Sequence, residues 1–269
     1  MICINCGTED TGKMCSNCGQ PLEVKRITLA ESWGDFWDKM YGFDSKFLRT
    51  VRDATTKPGV VAREFIRGNR VRYFGPVGYY FFMITVFLLV LSMIDLSYAD
   101  YLKAMQEELP MQQQSNTKLG ESTRNWVADN LKLIAFLIPP FMAFASQRIF
   151  FRKQGLNFIE HSVPVFYILG HWYWISTIEA VIFKYTGKAM GSAIQLILVS
   201  LYLAFGYTTF VQTQPKWKVF LKGIGTYLVG YVLMFIFAGL VGVVIGLLLA
   251  WLDPEMFNSI RPSQQNLPK

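Results

Sequence analysis

Long apolar runs alternate with short charged connectors over the last two-thirds of the chain. They cover Pro76–Ile94, Leu131–Ala145 (extending towards Phe151), His161–Phe183, Ala189–Phe210 and Gly223–Trp251. Each approaches or exceeds the roughly 20 residues with which a helix crosses the hydrocarbon core. A soluble core helix would be interrupted by charge sooner. The pattern predicts an all-α integral membrane protein with five transmembrane helices over 76–252, four or six spans being the alternatives. The second run is broken by Pro139-Pro140. A proline pair withholds helix N–H groups and is tolerated in a span only where neighbouring helices or water satisfy the freed carbonyls. Between the first two spans lies a long loop, 95–130, and after the last a tail, 253–269.

Before the first span the period changes. Leu29, Trp33, Phe36, Trp37, Met40 and Tyr41 recur at three- and four-residue spacing with Glu31, Asp35 and Asp38 between them, the mark of an amphipathic helix. Phe47, Leu48 and Val51 continue the theme after Gly42. The segment 21–75 therefore reads as amphipathic helices, packed on the ends of the bundle or lying among the headgroups; both can hold. Within it, Pro58 suits the first position of a helix and Gly68 its left-handed stop. Val61, Phe65 and Ile66 form one face of that helix and Arg63 and Arg67 another. Arg70 and Arg72 then precede Tyr73-Phe74, an aromatic belt at the entry to span one.

The first 20 residues have no apolar pattern at all. They hold the chain's four cysteines as C-x2-C-x8-C-x2-C: Cys3, Cys6, Cys15 and Cys18, each pair followed by glycine. Two such knuckles set four thiolates around one tetrahedral point, the ligand set of a closed structural Zn²⁺ site. A metal also explains why so short a polar segment should fold. The alternative, two short disulfides, needs an oxidising compartment. Four protein ligands leave no open position, so one zinc ion here is architectural rather than catalytic.

Composition agrees with a membrane chain: 269 residues, 52% hydrophobic, 16% aromatic, mean hydropathy +0.28. Charge sets the orientation. Of 26 basic residues, 12 precede the first span. Arg148, Arg152 and Lys153 lie between spans two and three, and Lys216, Lys218 and Lys222 between spans four and five. With five spans all three groups share one side, which the positive-inside rule makes the cytoplasm. The N-terminus is then inside, where thiols stay reduced, and the C-terminus outside. The polar head is not the start of a cleavable signal peptide. The net charge of +7 follows the membrane boundary rather than the cysteine head, which favours anionic lipid headgroups over nucleic acid as partner. Arg63, Arg67, Arg70 and Arg72 are the candidate membrane-surface residues.

The Cys18-Gly19-Gln20 ending of the second knuckle, the run from Pro58-Gly59 through Arg63-Glu64-Phe65-Ile66 to Tyr73, and the span that follows resemble a bacterial membrane family catalogued as domain of unknown function 3667. Phe158-Ile159-Glu160-His161 is similar to a Val-Glu-His element of that family, whose histidine-rich continuation is reduced here to Gly170-His171-Trp172. The resemblance implies an N-terminal zinc ribbon on several transmembrane helices in the bacterial inner membrane. It implies no activity.

Ionisable residues inside spans are expensive and usually face a partner or a cavity. Glu160 and His171 are 11 residues apart, about 20° in azimuth on a helix, whereas His161 and Glu179 share a face but lie about 27 Å apart along the axis. Glu160, His161, His171 and Glu179 could line a polar conduit; alternatively Glu160 and His161 lie at the interface and His171 bonds a neighbouring helix. No His-Glu-x-x-His pair, Gly-x-Ser-x-Gly elbow or phosphate-binding glycine loop occurs, so no catalytic residues are assigned. Gly239, Gly242 and Gly246 suit a close helix contact within the subunit, a homo-oligomer seam being the alternative. The leading reading is a non-enzymatic multi-pass membrane protein whose zinc ribbon binds a cytoplasmic protein partner or organises the bundle. The rival is a transporter or channel-like protein for a lipid or small solute, using the polar face of span three and the Pro139-Pro140 break.

Overall fold

A computed structural model describes residues 1–23, 45–107 and 125–252. The Leu29–Tyr41 stretch, the middle of the 95–130 loop and the 253–269 tail lie outside the described residues, as do the surroundings of Gly242 and Gly246. Eight helices are named here: α1 (Ser45–Thr56), α2 (Pro58–Ile66), α3 (Pro76–Met93), α4 (Tyr98–Glu107), α5 (Leu131–Ala145), α6 (Phe158–Thr186), α7 (Ser192–Phe210) and α8 (Lys216–Leu252). Among the described residues no strand forms. Five helices are long and apolar enough to cross a membrane: α3, α5 with its continuation to Phe150, α6, α7 and α8.

The central element is α6. Every residue from Glu160 to His171 is buried, as expected of a helix that is apolar all round, and α1, α2, α3, α5 and α7 all pack against it. It starts three residues before the apolar run does. Asn157 accepts from the Glu160 N–H at 2.8 Å while the Glu160 carboxylate accepts from the Asn157 N–H at 2.7 Å, a capping box that satisfies two otherwise orphaned donors. Gly187, at φ 69°, ends the helix.

The proline pair does not interrupt α5. Pro139 has no N–H for the carbonyl of Ala135, four residues back. The Tyr80 hydroxyl on α3 donates to that carbonyl instead, at 2.8 Å. After Ala145 the helix widens into a π-turn, Ser146–Phe150, closed by the Phe151 N–H on the Ser146 carbonyl at 2.8 Å.

Short helix α2 is wedged against α6 and α7. Gly59 is what lets it in: a Cβ there would lie 2.1 Å from the Gly206 carbonyl oxygen and 2.3 Å from the Phe210 nitrogen. Its N–H donates to the Thr209 hydroxyl at 3.0 Å, and Val61 and Ala62 are fully buried. Gly68, at φ 107°, closes the helix. Its N–H reaches the Phe65 carbonyl at 3.1 Å and the Asn69 N–H reaches that of Glu64 at 3.0 Å, the paired bonds of a Schellman stop. Amphipathic α1 ties into the same region. Thr50 accepts from the Phe74 N–H at 2.9 Å, and Asp53 accepts from the Tyr73 hydroxyl at 3.1 Å.

A candidate metal centre and its attachment to the bundle

The cysteine head is a twofold repeat with a shift of 12 residues. In the first knuckle the Cys3 N–H donates to Thr8 and the Gly7 N–H to Cys3; in the second the Cys15 N–H donates to Gln20 and the Gly19 N–H to Cys15, all at 2.8–2.9 Å. Gly7 and Gly19 take φ of 76° and 69°, the left-handed region that only glycine enters freely. Isolated bridges Ile2–Glu9 and Met14–Pro21 close the two units. Asp10 fastens one to the other: its carboxylate accepts from the N–H groups of Thr11 (2.7 Å), Gly12 (3.1 Å) and, in the second knuckle, Ser16 (2.8 Å). Those donors, Ser16 first, hold the Asp10 carboxyl well below the usual range.

The repeat brings all four sulfurs within 4.8 Å of one another. The nearest pairs, Cys3–Cys18 and Cys6–Cys15, are 3.5 Å apart and none is disulfide-bonded. A tetrahedral ion with Zn–S bonds of about 2.3 Å needs neighbouring sulfurs about 3.8 Å apart. The set therefore fits a metal ion with little movement. Cys3 and Cys15 are buried, Cys6 is exposed. Hydrogen bonds with Thr8 hold the Cys6 thiol down at about 6, whereas burial pushes the Cys15 thiol up to about 11.

The symmetry breaks where Thr8 corresponds to Gln20. The Thr8 hydroxyl stays local, 3.2 Å from the Cys6 sulfur and from the Asn17 side chain. Gln20 turns outward and is buried against the helices: its amide N–H donates to the Gly68 carbonyl, and its oxygen accepts from the Val71 N–H at 3.1 Å. Sequence reasoning singled out both segments without joining them. The one available signal was a long amide at the place where the first knuckle has a short hydroxyl. Met1, Ile2, Ile4 and Met14 remain exposed on the head.

The four arginines around this junction are not equivalent. Arg63 is half-buried and donates to the Thr209 carbonyl on α7 at 3.0 Å. Arg67 is exposed and pairs loosely with Glu64 at 3.5 Å. Arg70 and Arg72 flank Val71, and the Arg72 guanidinium lies 5.5 Å from the centre of the Tyr73 ring.

The polar residues of α6 have separate partners. Glu160 belongs to the capping box. His161 meets the Ser146 hydroxyl at 2.9 Å through Nδ1. Glu179 accepts from the Met190 N–H at 2.7 Å and the Gln195 amide at 3.4 Å, near the turn into α7. His171 lies between the Tyr79 hydroxyl, 2.8 Å from Nδ1, and the Thr55 hydroxyl, 3.2 Å from Nε2. Thr55 donates its only proton to the Val51 carbonyl at 2.9 Å, so it accepts from Nε2–H, and Nδ1 accepts from Tyr79. His171 thereby fastens α1 and α3 to the central helix. The other glycine expectation has a partial answer: a Cβ on Gly239 would meet nothing within 4 Å.

Residues 44–88 match the model of the family described as Protein of unknown function (DUF3667). The match covers α1, α2, the arginine segment and the first part of α3. No curated protein and no solved structure matches the chain.

Proposed function

We propose that Cys3, Cys6, Cys15 and Cys18 hold one structural Zn²⁺, and that the resulting ribbon is a cytoplasmic interaction module fixed to a five-span protein of the bacterial inner membrane. The observation that carries this reading is the Gln20 clasp. A head tethered only by a linker would sample many positions, whereas one bonded to the α2 terminus presents a fixed surface. That surface includes the exposed side chains of Met1, Ile2, Ile4 and Met14, apolar area in a segment too small to bury it, which suits an apolar patch on a cytoplasmic protein. The all-sulfur donor set favours zinc over harder cations. Bound zinc would hold the two knuckles together, and four protein ligands would leave it no open coordination position. The basic connectors favour an N-terminus inside and a C-terminus outside.

Elemental analysis of the purified full-length chain should find one zinc per chain, absent from Cys6→Ser and Cys15→Ser. A photo-crosslinker at Ile4 should give one discrete adduct in cells, abolished by Cys15→Ser. No stoichiometric zinc, or a Cys3–Cys6 disulfide, would overturn the metal; a diffuse set of adducts unaffected by Cys15→Ser would overturn the platform.

A further inference from the structure

The turn from α7 to α8 carries a depression that neither the metal centre nor the arginine segment uses. Its volume is about 480 Å³ and it is lined by Thr208, Lys216, Trp217, Phe220 and Leu221. Thr208 is in the last turn of α7 and Lys216 opens α8, so the depression sits at the turn between two candidate spans. Its chemistry is graded. Lys216 stands at the polar edge, with Lys218 beside it, the Lys218 ammonium 5.3 Å from the centre of the Trp217 ring. Phe220 and Leu221 form the apolar floor. Trp217 and Leu221 are 63% and 58% exposed.

The cations here are available. Among the described residues no carboxylate pairs with Lys216 or Lys218, whereas Lys222, one turn on, is bonded to Gln214 at 2.7 Å. The Thr208 hydroxyl donates its proton to the Phe205 carbonyl at 2.7 Å, which leaves its oxygen as an acceptor facing the depression. One lining ammonium with a second beside it, one acceptor, an indole and an apolar floor match, in order, a phosphate, a headgroup hydroxyl, a glycerol backbone and the start of an acyl chain.

We propose that this depression is a binding site for an anionic glycerophospholipid carrying a hydroxylated headgroup. An acidic peptide would satisfy the lysines but not the floor, because its backbone would be left without partners beside Phe220 and Leu221.

The test uses the full-length protein in detergent, with phosphatidylglycerol or phosphatidylcholine added at equal ratios and bound lipid counted by native mass spectrometry. The wild type should retain phosphatidylglycerol about thirtyfold more than phosphatidylcholine, the effect expected of two lysines facing a lipid with net negative charge rather than a zwitterion. Lys216→Gln/Lys218→Gln should reduce that preference to near unity, with an unchanged melting temperature, while Lys153→Gln, a basic residue on another connector, keeps it. No preference in the wild type overturns the site. An equal loss in Lys153→Gln and in the double variant overturns it too, since diffuse positive charge would then be the cause. Retention of an acidic peptide in place of the lipid would overturn the choice of ligand.

Discussion

The buried side chain of Gln20, the second residue after the last cysteine, donates to the carbonyl of Gly68, the residue that ends α2. The relation follows from backbone geometry at both ends. Gly19 in the left-handed region turns the chain after the knuckle as Gly7 does, and the longer side chain of Gln20 reaches the helices where the Thr8 hydroxyl stays at the Cys6 sulfur. Gly68, also left-handed, closes the helix with bonds to its own N–H and that of Asn69, which leaves its carbonyl turned outward. A single amide then closes over both the Gly68 carbonyl and the Val71 N–H.

Gln20→Ala should separate head from bundle without emptying the metal centre. The Gly68 carbonyl keeps the Arg70 N–H, at 2.8 Å, so the variant leaves one backbone donor, the Val71 N–H, unpaired, which costs about 1–3 kcal/mol. Hydrogen exchange at Val71 should accelerate correspondingly, with metal content unchanged. Equal protection of Val71 in wild type and variant would show that the clasp contributes nothing.

Asp10 gives the head a defined pH dependence. Its folded-state pKa lies below the unfolded value of about 3.9, so its contribution is complete above that value and is lost as pH falls through the folded pKa. Asp10→Ala should hold zinc more weakly than wild type, by a ratio that stays constant from pH 8 to 5 and narrows only under about pH 4. Chelator competition measures it. A ratio that already closes between pH 7 and 5 would mean that another group is responsible.

Much of this architecture was legible in the apolar pattern. The expected spans and α3, α5, α6, α7 and α8 agree to within a few residues, apart from the start of α8, which takes in three lysines after Pro215. The early start of α6 was also encoded, in Asn157 and Glu160, but as a capping box its signal is polar and escapes a search for apolar runs. Pro58, Gly68 and the Val61–Phe65 face were readable because local backbone rules dictate them. Joining Gln20 to Gly68, Tyr80 to Ala135, or Thr55 to His171 was not: these pairs are 48, 55 and 116 residues apart, and one sequence carries no record of which distant segments meet.

Tyr80 should matter to α5 through one hydroxyl. Tyr80→Phe keeps the ring packing against Phe166 and Tyr173 but orphans the carbonyl that Pro139 cannot serve. A buried acceptor without a partner costs about 1–3 kcal/mol, read as a lower unfolding midpoint in detergent. In a Tyr80→Phe/Pro139→Ala background the loss should largely vanish, because the helix again supplies an N–H. A loss of the same size in both backgrounds would rule out this role.

Gly59 and Gly206 face each other but should respond differently to alanine. The new methyl at Gly59 would meet backbone on α7, whereas at Gly206 it would meet the Ile168 Cδ1, the movable end of a side chain, at 2.3 Å. Overpacking costs about 1–3 kcal/mol where neighbours cannot yield, so Gly59→Ala should lower the unfolding midpoint well beyond Gly206→Ala. The reverse order would place the tight contact elsewhere.

The arginine segment offers the sharpest separation of protein packing from lipid. Arg63 already bonds the Thr209 carbonyl, so Arg63→Gln should weaken the α2–α7 contact in detergent and in bilayers alike. Among the described residues Arg67 has a loose pair and Arg72 a ring contact, and with Arg70 they lie directly before the aromatic entry to α3. We expect these three to hold the head against an anionic membrane surface, at about 1 kcal/mol for each basic residue near it. Arg67→Gln/Arg70→Gln/Arg72→Gln should therefore raise hydrogen exchange over residues 1–23 and 45–73 in anionic bilayers and change little in neutral ones. Added salt should shrink the wild-type advantage in the same way, since a Debye length of about 10 Å at 0.1 M shortens to about 3 Å at 1 M. Equal protection of the wild type in neutral and anionic lipid would mean that the Gln20 clasp and the packing of α1 and α2 hold the head without help from the membrane.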